Sequence, residues 1–167
     1  MVVIHGTKKL RDRVDGPSDV AADMPRSVLG DWYATVLFWR PQVALLVNEA
    51  TLLPLLVRFA PAATLLGRFP DALASLLEAH RVPASLIEQE VAAARTCVLA
   101  RTRDRSVVGV MTEFGYLAEV RRDEAADLVG LSVQLARTPT SPLYKSYISP
   151  DRALAALVQA HQRRTDR

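Results

Sequence analysis

The stretch from Asp31 to Phe59 constrains this chain more than any other. It reads DWYATVLFWRPQVALLVNEATLLPLLVRF, three apolar runs broken by Arg40-Pro41 and by Asn48-Glu49. Alternate residues of a strand face opposite sides of a sheet. Trp32, Ala34, Val36 and Phe38 therefore share one face, and Tyr33, Thr35, Leu37 and Trp39 the other. Both faces are mostly apolar, which predicts a strand covered on both sides. Arg40-Pro41 predicts a turn, with Val43 to Val47 returning as a hairpin partner. Asn48-Glu49-Ala50 predicts a second turn, because asparagine bonds its own downstream backbone. Thr51 to Val57 is a third strand, and Pro54 puts it at an edge or a bulge, since proline cannot donate to a ladder.

The flanking segments supply the layers. Val2 to His5 is a short β-branched strand, followed by one or two helical turns over Lys8 to Val14 that Thr7 is placed to cap. Residues 15–27 hold Gly16, Pro17, Pro25 and three aspartates and predict an exposed loop. Helices are expected from Pro70 to about His80, with Pro70 at the first position, and from Ala84 to Ala94. Thr96 to Arg101 is a strand, with Cys97 among apolar neighbours as an inert buried thiol. Asp104 is placed to cap a helix carrying Val107, Met111, Phe114 and Ala118 on one stripe, and another helix is expected from Asp123 to Ala136. Residues 138–149 are an irregular arm, and Ser149-Pro150-Asp151 starts a last helix, 150–162, before a frayed end. The fold class is α+β: residues 1–167 form a single domain with a small mixed or antiparallel sheet covered by about five helices.

Composition narrows the function classes. With 21 Lys and Arg against 18 Asp and Glu, the chain is mildly basic, which permits nucleic-acid contact without demanding it. A single cysteine excludes an internal disulfide and suits a reducing cytosol. The apolar run of residues 45–59 is interrupted by Asn48, Glu49, Pro54 and Arg58, so no membrane span is expected, and the N-terminal run is too short for a signal peptide. A soluble cytoplasmic protein is the expectation. His5, His80 and His161 are scattered, so no metal site and no cofactor are expected. A Gly-rich phosphate loop and a Gly-x-Ser-x-Gly elbow are both missing.

Several short motifs then occur in order: Thr7-Lys8-Lys9-Leu10, Gly30-Asp31-Trp32-Tyr33-Ala34, Val47-Asn48-Glu49, Thr51-Leu52-Leu53-Pro54 and Arg105-Ser106-Val107-Val108-Gly109-Val110-Met111. Together they resemble a bacterial domain family of unassigned function over about Val2 to Ala136. In that family asparagine-aspartate is typical where this chain has Thr112-Glu113. The resemblance implies one domain and supplies neither a reaction nor a cofactor.

Three places carry candidate chemistry. Arg101, Arg103, Arg105 and Ser106 lie between a predicted strand and a predicted helix start, where backbone N–H groups favour an anion; with Lys8 and Lys9 they form the candidate phosphate-binding set. Glu49 at a strand end is a candidate general base, and His5 is the histidine nearest a basic group. The arm residues Tyr144, Lys145 and Tyr147 are candidates for partner contact or self-association. Trp32 is a core residue on this reading, and a stacking platform only if exposed.

Two functions follow as expectations. The first is a small cytosolic interaction module that binds a macromolecular partner, extending to a toxin–antitoxin or defence-type pair; an exposed apolar patch is its mark. The second is a small nuclease or RNA-acting enzyme that uses a basic cleft with Glu49 as general base, which requires Glu49, His5 and the cations to converge.

Overall fold

The computed structural model describes residues 1–19, 23–143 and 145–167. Strand β1 (Val2–Gly6) leads into a single helical turn, α1 (Lys8–Arg11). Strands β2 (Trp32–Leu37), β3 (Val43–Asn48) and β4 (Pro54–Arg58) follow as two consecutive hairpins. Helices α2 (Leu65–Ala79) and α3 (Ala84–Ala94) precede β5 (Cys97–Arg101). Helices α4 (Arg105–Arg121), α5 (Leu128–Ala136) and α6 (Pro150–Thr165) complete the chain. The result is a single α+β domain with a mixed sheet ordered β4-β3-β2-β1-β5.

The antiparallel half is the stretch read first from the sequence, and β4 is an edge strand that begins at Pro54, where a missing donor does no harm. The other half is parallel: β1 lies between β2 and β5, with His5 level with Tyr33 on one side and Ala100 on the other. Each face of the sheet carries its own core. Trp32, Ala34, Leu46, Leu55, Phe69 and Leu73 belong to the face covered by α2 and α3. Tyr33, Leu45, Val47, Met111, Phe114 and Leu135 belong to the face covered by α4 and α5. Trp32 is buried and meets Phe69 edge-on at 5.7 Å, so it is core and no stacking platform.

Local signals and packing disagree at several element ends. Strand β2 stops at Leu37, which leaves Phe38 exposed and Trp39 half-buried beyond it, instead of both facing a core. Thr7 precedes α1, but its hydroxyl bonds that of Thr35 at 3.0 Å instead of capping the turn, and α1 ends at Arg11, short of Val14. Helix α2 starts at Leu65, so Pro70 lies inside it and not at its first position. Leu65 and Phe69 are buried in the sheet-facing core, and that burial outweighs the backbone bond that Pro70 cannot make. Helix α5 starts five residues later than Asp123, because Asp127 caps it through Gly130 N at 2.6 Å. Helix α6 continues to Thr165, past the expected frayed end.

Two buried polar residues pin the loops around the site. Asn48 is fully buried and donates from Nδ2 to the carbonyls of Leu29 (3.0 Å) and Asp31 (3.2 Å). Its Oδ1 accepts from Ala50 N, Thr51 N and Thr51 Oγ1. Glu90 of α3, also fully buried, accepts from Ser27 Oγ, from Val28 N at 2.6 Å and from Leu29 N at 3.3 Å. Among the described residues no helix is long and apolar enough to cross a membrane.

Candidate functional site

The parallel pairing of β1 with β2 brings together residues that are far apart in sequence. His5 and Tyr33 are register partners, and their rings lie 4.8 Å apart at 33°. Asp31, two residues before Tyr33, shares its face by strand alternation. His5 is 4% exposed; its Nδ1 donates to the Arg101 carbonyl at 2.9 Å, and its Nε2 is 3.1 Å from Asp31 Oδ2. Glu49 enters at the opposite edge of β2, because its own N–H donates to the Asp31 carbonyl at 2.9 Å. Tyr33 OH donates to Glu49 Oε1 at 3.5 Å and accepts from Asp104 N at 3.0 Å. Arg103 Nη2 spans the two carboxylates, 3.4 Å from Asp31 Oδ2 and 3.4 Å from Glu49 Oε1. Glu49 is the largest influence holding the Arg103 guanidinium above its usual range, and Tyr33 adds to it.

So His5, Glu49 and Arg103 do meet. The two carboxylates balance Arg103, however, and both His5 nitrogens are already engaged, so the cluster offers little positive field to a phosphate. The other candidate cations point elsewhere. Lys8 pairs with Asp12 at 2.7 Å on the surface of α1. Lys9 stands 5.4 Å from the centroid of the Phe38 ring. Arg101 and Arg105 are exposed, and Ser106 N is taken by the capping Asp104 Oδ1 at 2.8 Å. Burial pushes the Cys97 thiol up to about 11, and its Sγ is directed to the Ala94 carbonyl, which suits an inert role. His80, at the end of α2, has its pKa lowered by burial, opposed by Asp151 and aided by Arg137. In the arm, Lys145 and Tyr147 are exposed, and Tyr144 lies outside the described residues.

A second feature was not anticipated. A groove of about 590 Å³ opens between the end of β2 and α4, with Thr7, Lys9, Phe38, Met111, Thr112 and Tyr116 among its walls. Phe38 is 61% and Tyr116 71% exposed, and Val120, one turn beyond Tyr116, is exposed too. The signal was present in the sequence: Thr112, Tyr116 and Val120 recur at i, i+4, i+8, off the buried stripe of α4. Thr112, one of the two residues at which the chain departs from the expected family pair, lines this groove, and its hydroxyl turns back to the Val108 carbonyl at 3.2 Å.

A family model described as a domain of unknown function, DUF6933, matches residues 3–153. The chain belongs to that family. The match runs past Ala136, where the likeness of short motifs ends, and takes in the arm and the start of α6. No curated protein and no solved structure matches this DUF6933 chain.

Proposed function

We propose that this DUF6933 chain is a non-catalytic interaction module that binds a macromolecular partner through the groove between the end of β2 and α4. The observation that carries the reading is the pair Phe38 and Tyr116, two large apolar side chains left exposed in the walls of one concavity, with Val120 exposed one helical turn beyond Tyr116. Isolated exposed apolar residues are ordinary; a group lining a groove marks a contact surface. A toxin–antitoxin or defence-type pairing is the finer form of the same reading. The test is a pull-down of the tagged chain and of a Phe38→Ser/Tyr116→Ser variant from lysate, with and without nuclease. A stoichiometric macromolecule is expected with the wild type and not with the variant. Recovery of nothing, or equal recovery by both, overturns the reading.

One observation favours a second reading, an RNA-acting enzyme with Glu49 as general base. Glu49 and His5 stand in one hydrogen-bonded cluster with Asp31, Tyr33 and Arg103. On that reading Glu49→Gln abolishes RNA cleavage, with a loss of about a hundredfold or more, and leaves the melting temperature nearly unchanged. A wild type that leaves RNA intact eliminates it.

A further inference from the structure

We infer that the partner held at this groove is single-stranded nucleic acid, with bases stacked on Phe38 and Tyr116 and the phosphate backbone running towards Arg40 and Arg58. The inference rests on the interaction reading above and names the class of its partner.

Three observations carry it. The first is a second concavity of about 360 Å³ that adjoins the groove, since Trp39 lines both. Arg40, Arg58 and Arg122 border this second concavity, and all three are exposed. The second is the alternation of rings and cations along the path. The Lys9 ammonium stands 5.4 Å from the Phe38 ring centroid, and the Arg122 guanidinium 5.4 Å from that of Trp39. Lys9 covers one face of Phe38, so a base stacks on the other face, the exposed Lys9 side chain reaches its phosphate, and the next phosphates meet the arginines. The third is the charge balance. Four cations, Lys9, Arg40, Arg58 and Arg122, border the two concavities, against the three carboxylates of Glu119, Asp123 and Asp127. The lining therefore keeps an excess of one positive charge, unlike the His5 cluster, where two carboxylates face Arg103.

The chemistry fits a single strand better than a duplex. Unstacked bases present π-faces to aromatic side chains, whereas the bases of a duplex are stacked on one another. At the floor of the groove the hydroxyls of Thr7 and Thr35 bond one another at 3.0 Å. A hydroxyl pair with one shared bond keeps further donor and acceptor capacity for a base edge.

The test is a fluorescence anisotropy titration of the full chain against labelled oligo-U and oligo-dT of about 12 nucleotides, with a duplex of the same length as control. It is run at about 50 and about 200 mM salt. The expected result is saturable binding of a single strand, weaker binding of the duplex, and a clear loss of affinity at the higher salt. The RNA and DNA arms show which sugar is preferred. Phe38→Ala/Tyr116→Ala is expected to weaken binding at least tenfold, since each stacked base contributes about 1–3 kcal/mol. Arg40→Glu/Arg58→Glu is expected to weaken binding and flatten the salt dependence. All four side chains are exposed, and unchanged circular dichroism and melting confirm that the variants fold. No binding of either strand at about 100 μM, or equal affinity of the aromatic variant and the wild type, overturns the inference. A protein captured by the wild type and lost by Phe38→Ser/Tyr116→Ser, with no oligonucleotide binding, overturns the inference and leaves the interaction reading standing.

Discussion

Replacing Glu90 with alanine is expected to remove about 3–5 kcal/mol of folding stability, read as a shift in the urea midpoint with little change in slope. Its carboxylate is fully buried and, among the described residues, no salt bridge engages it; three donors from residues 27–29 satisfy it instead. Truncation leaves the buried Leu29 N and the half-buried Val28 N without their acceptor and opens a void between α3 and that loop. Glu90→Gln is expected to cost less, about 1–3 kcal/mol, because one oxygen still accepts while the amide NH₂ faces donors. Such a loss is a large share of the roughly 5–15 kcal/mol that holds a domain folded. A change below about 1 kcal/mol for the alanine variant would show that water or a rearranged loop takes over the carboxylate's bonds.

Replacing Asn48 with alanine is expected to cost a similar amount, about 3–5 kcal/mol, for a different reason. Asn48 is both donor and acceptor: two carbonyls accept from its Nδ2, and three donors of residues 50–51 reach its Oδ1. No single backbone rearrangement replaces both sets. Asn48→Asp keeps the three accepted bonds but sets a carboxylate oxygen against the carbonyls of Leu29 and Asp31, so it is expected to be at least as damaging as alanine at neutral pH. The measurement is the same urea titration, with near-ultraviolet dichroism of Tyr33 as a second readout, because Glu49 follows Asn48 and meets Tyr33. If Asn48→Asp matches the wild type, Asn48 is a surface-like turn residue and the loop is held by its other contacts.

These two residues mark where local reading succeeded and where it failed. Asn48 was legible as a turn former, since asparagine in a break between apolar runs bonds its own chain. Its reach to Leu29 and Asp31 was not, because those partners lie 19 and 17 residues away. Glu90 falls on the apolar stripe of its helix, three and four residues from Ile87, Leu86 and Ala94, so its burial was legible; its acceptance from residues 27–29 was not, because those donors lie more than 60 residues away. The candidate cluster divides the same way. Glu49 and His5 stood out as polar groups at strand ends, but Asp31 and Tyr33 became their partners only through the register of β1 against β2. Of the cations expected to join them Arg103 did, while Lys8 pairs with Asp12, Lys9 stands by Phe38, and Arg101 and Arg105 are exposed.

By itself the sequence determined the elements that short-range physics controls. Short apolar runs with turn residues between them dictated the hairpins β2-β3 and β3-β4, and Pro54 restricted β4 to an edge or a bulge, of which it takes the edge. Asp104 set the start of α4 through a bond only two residues long. Tertiary structure decided what depends on distant partners. It put β1 between β2 and β5, started α2 at Leu65 in spite of Pro70, and ended β2 before Phe38. The reason is that parallel pairing and core packing gain their energy from contacts across long loops, which no local pattern encodes. The groove proposed for binding is a product of that second kind. Phe38 is exposed because its strand ends early, and Tyr116 because α4 turns another stripe to the sheet.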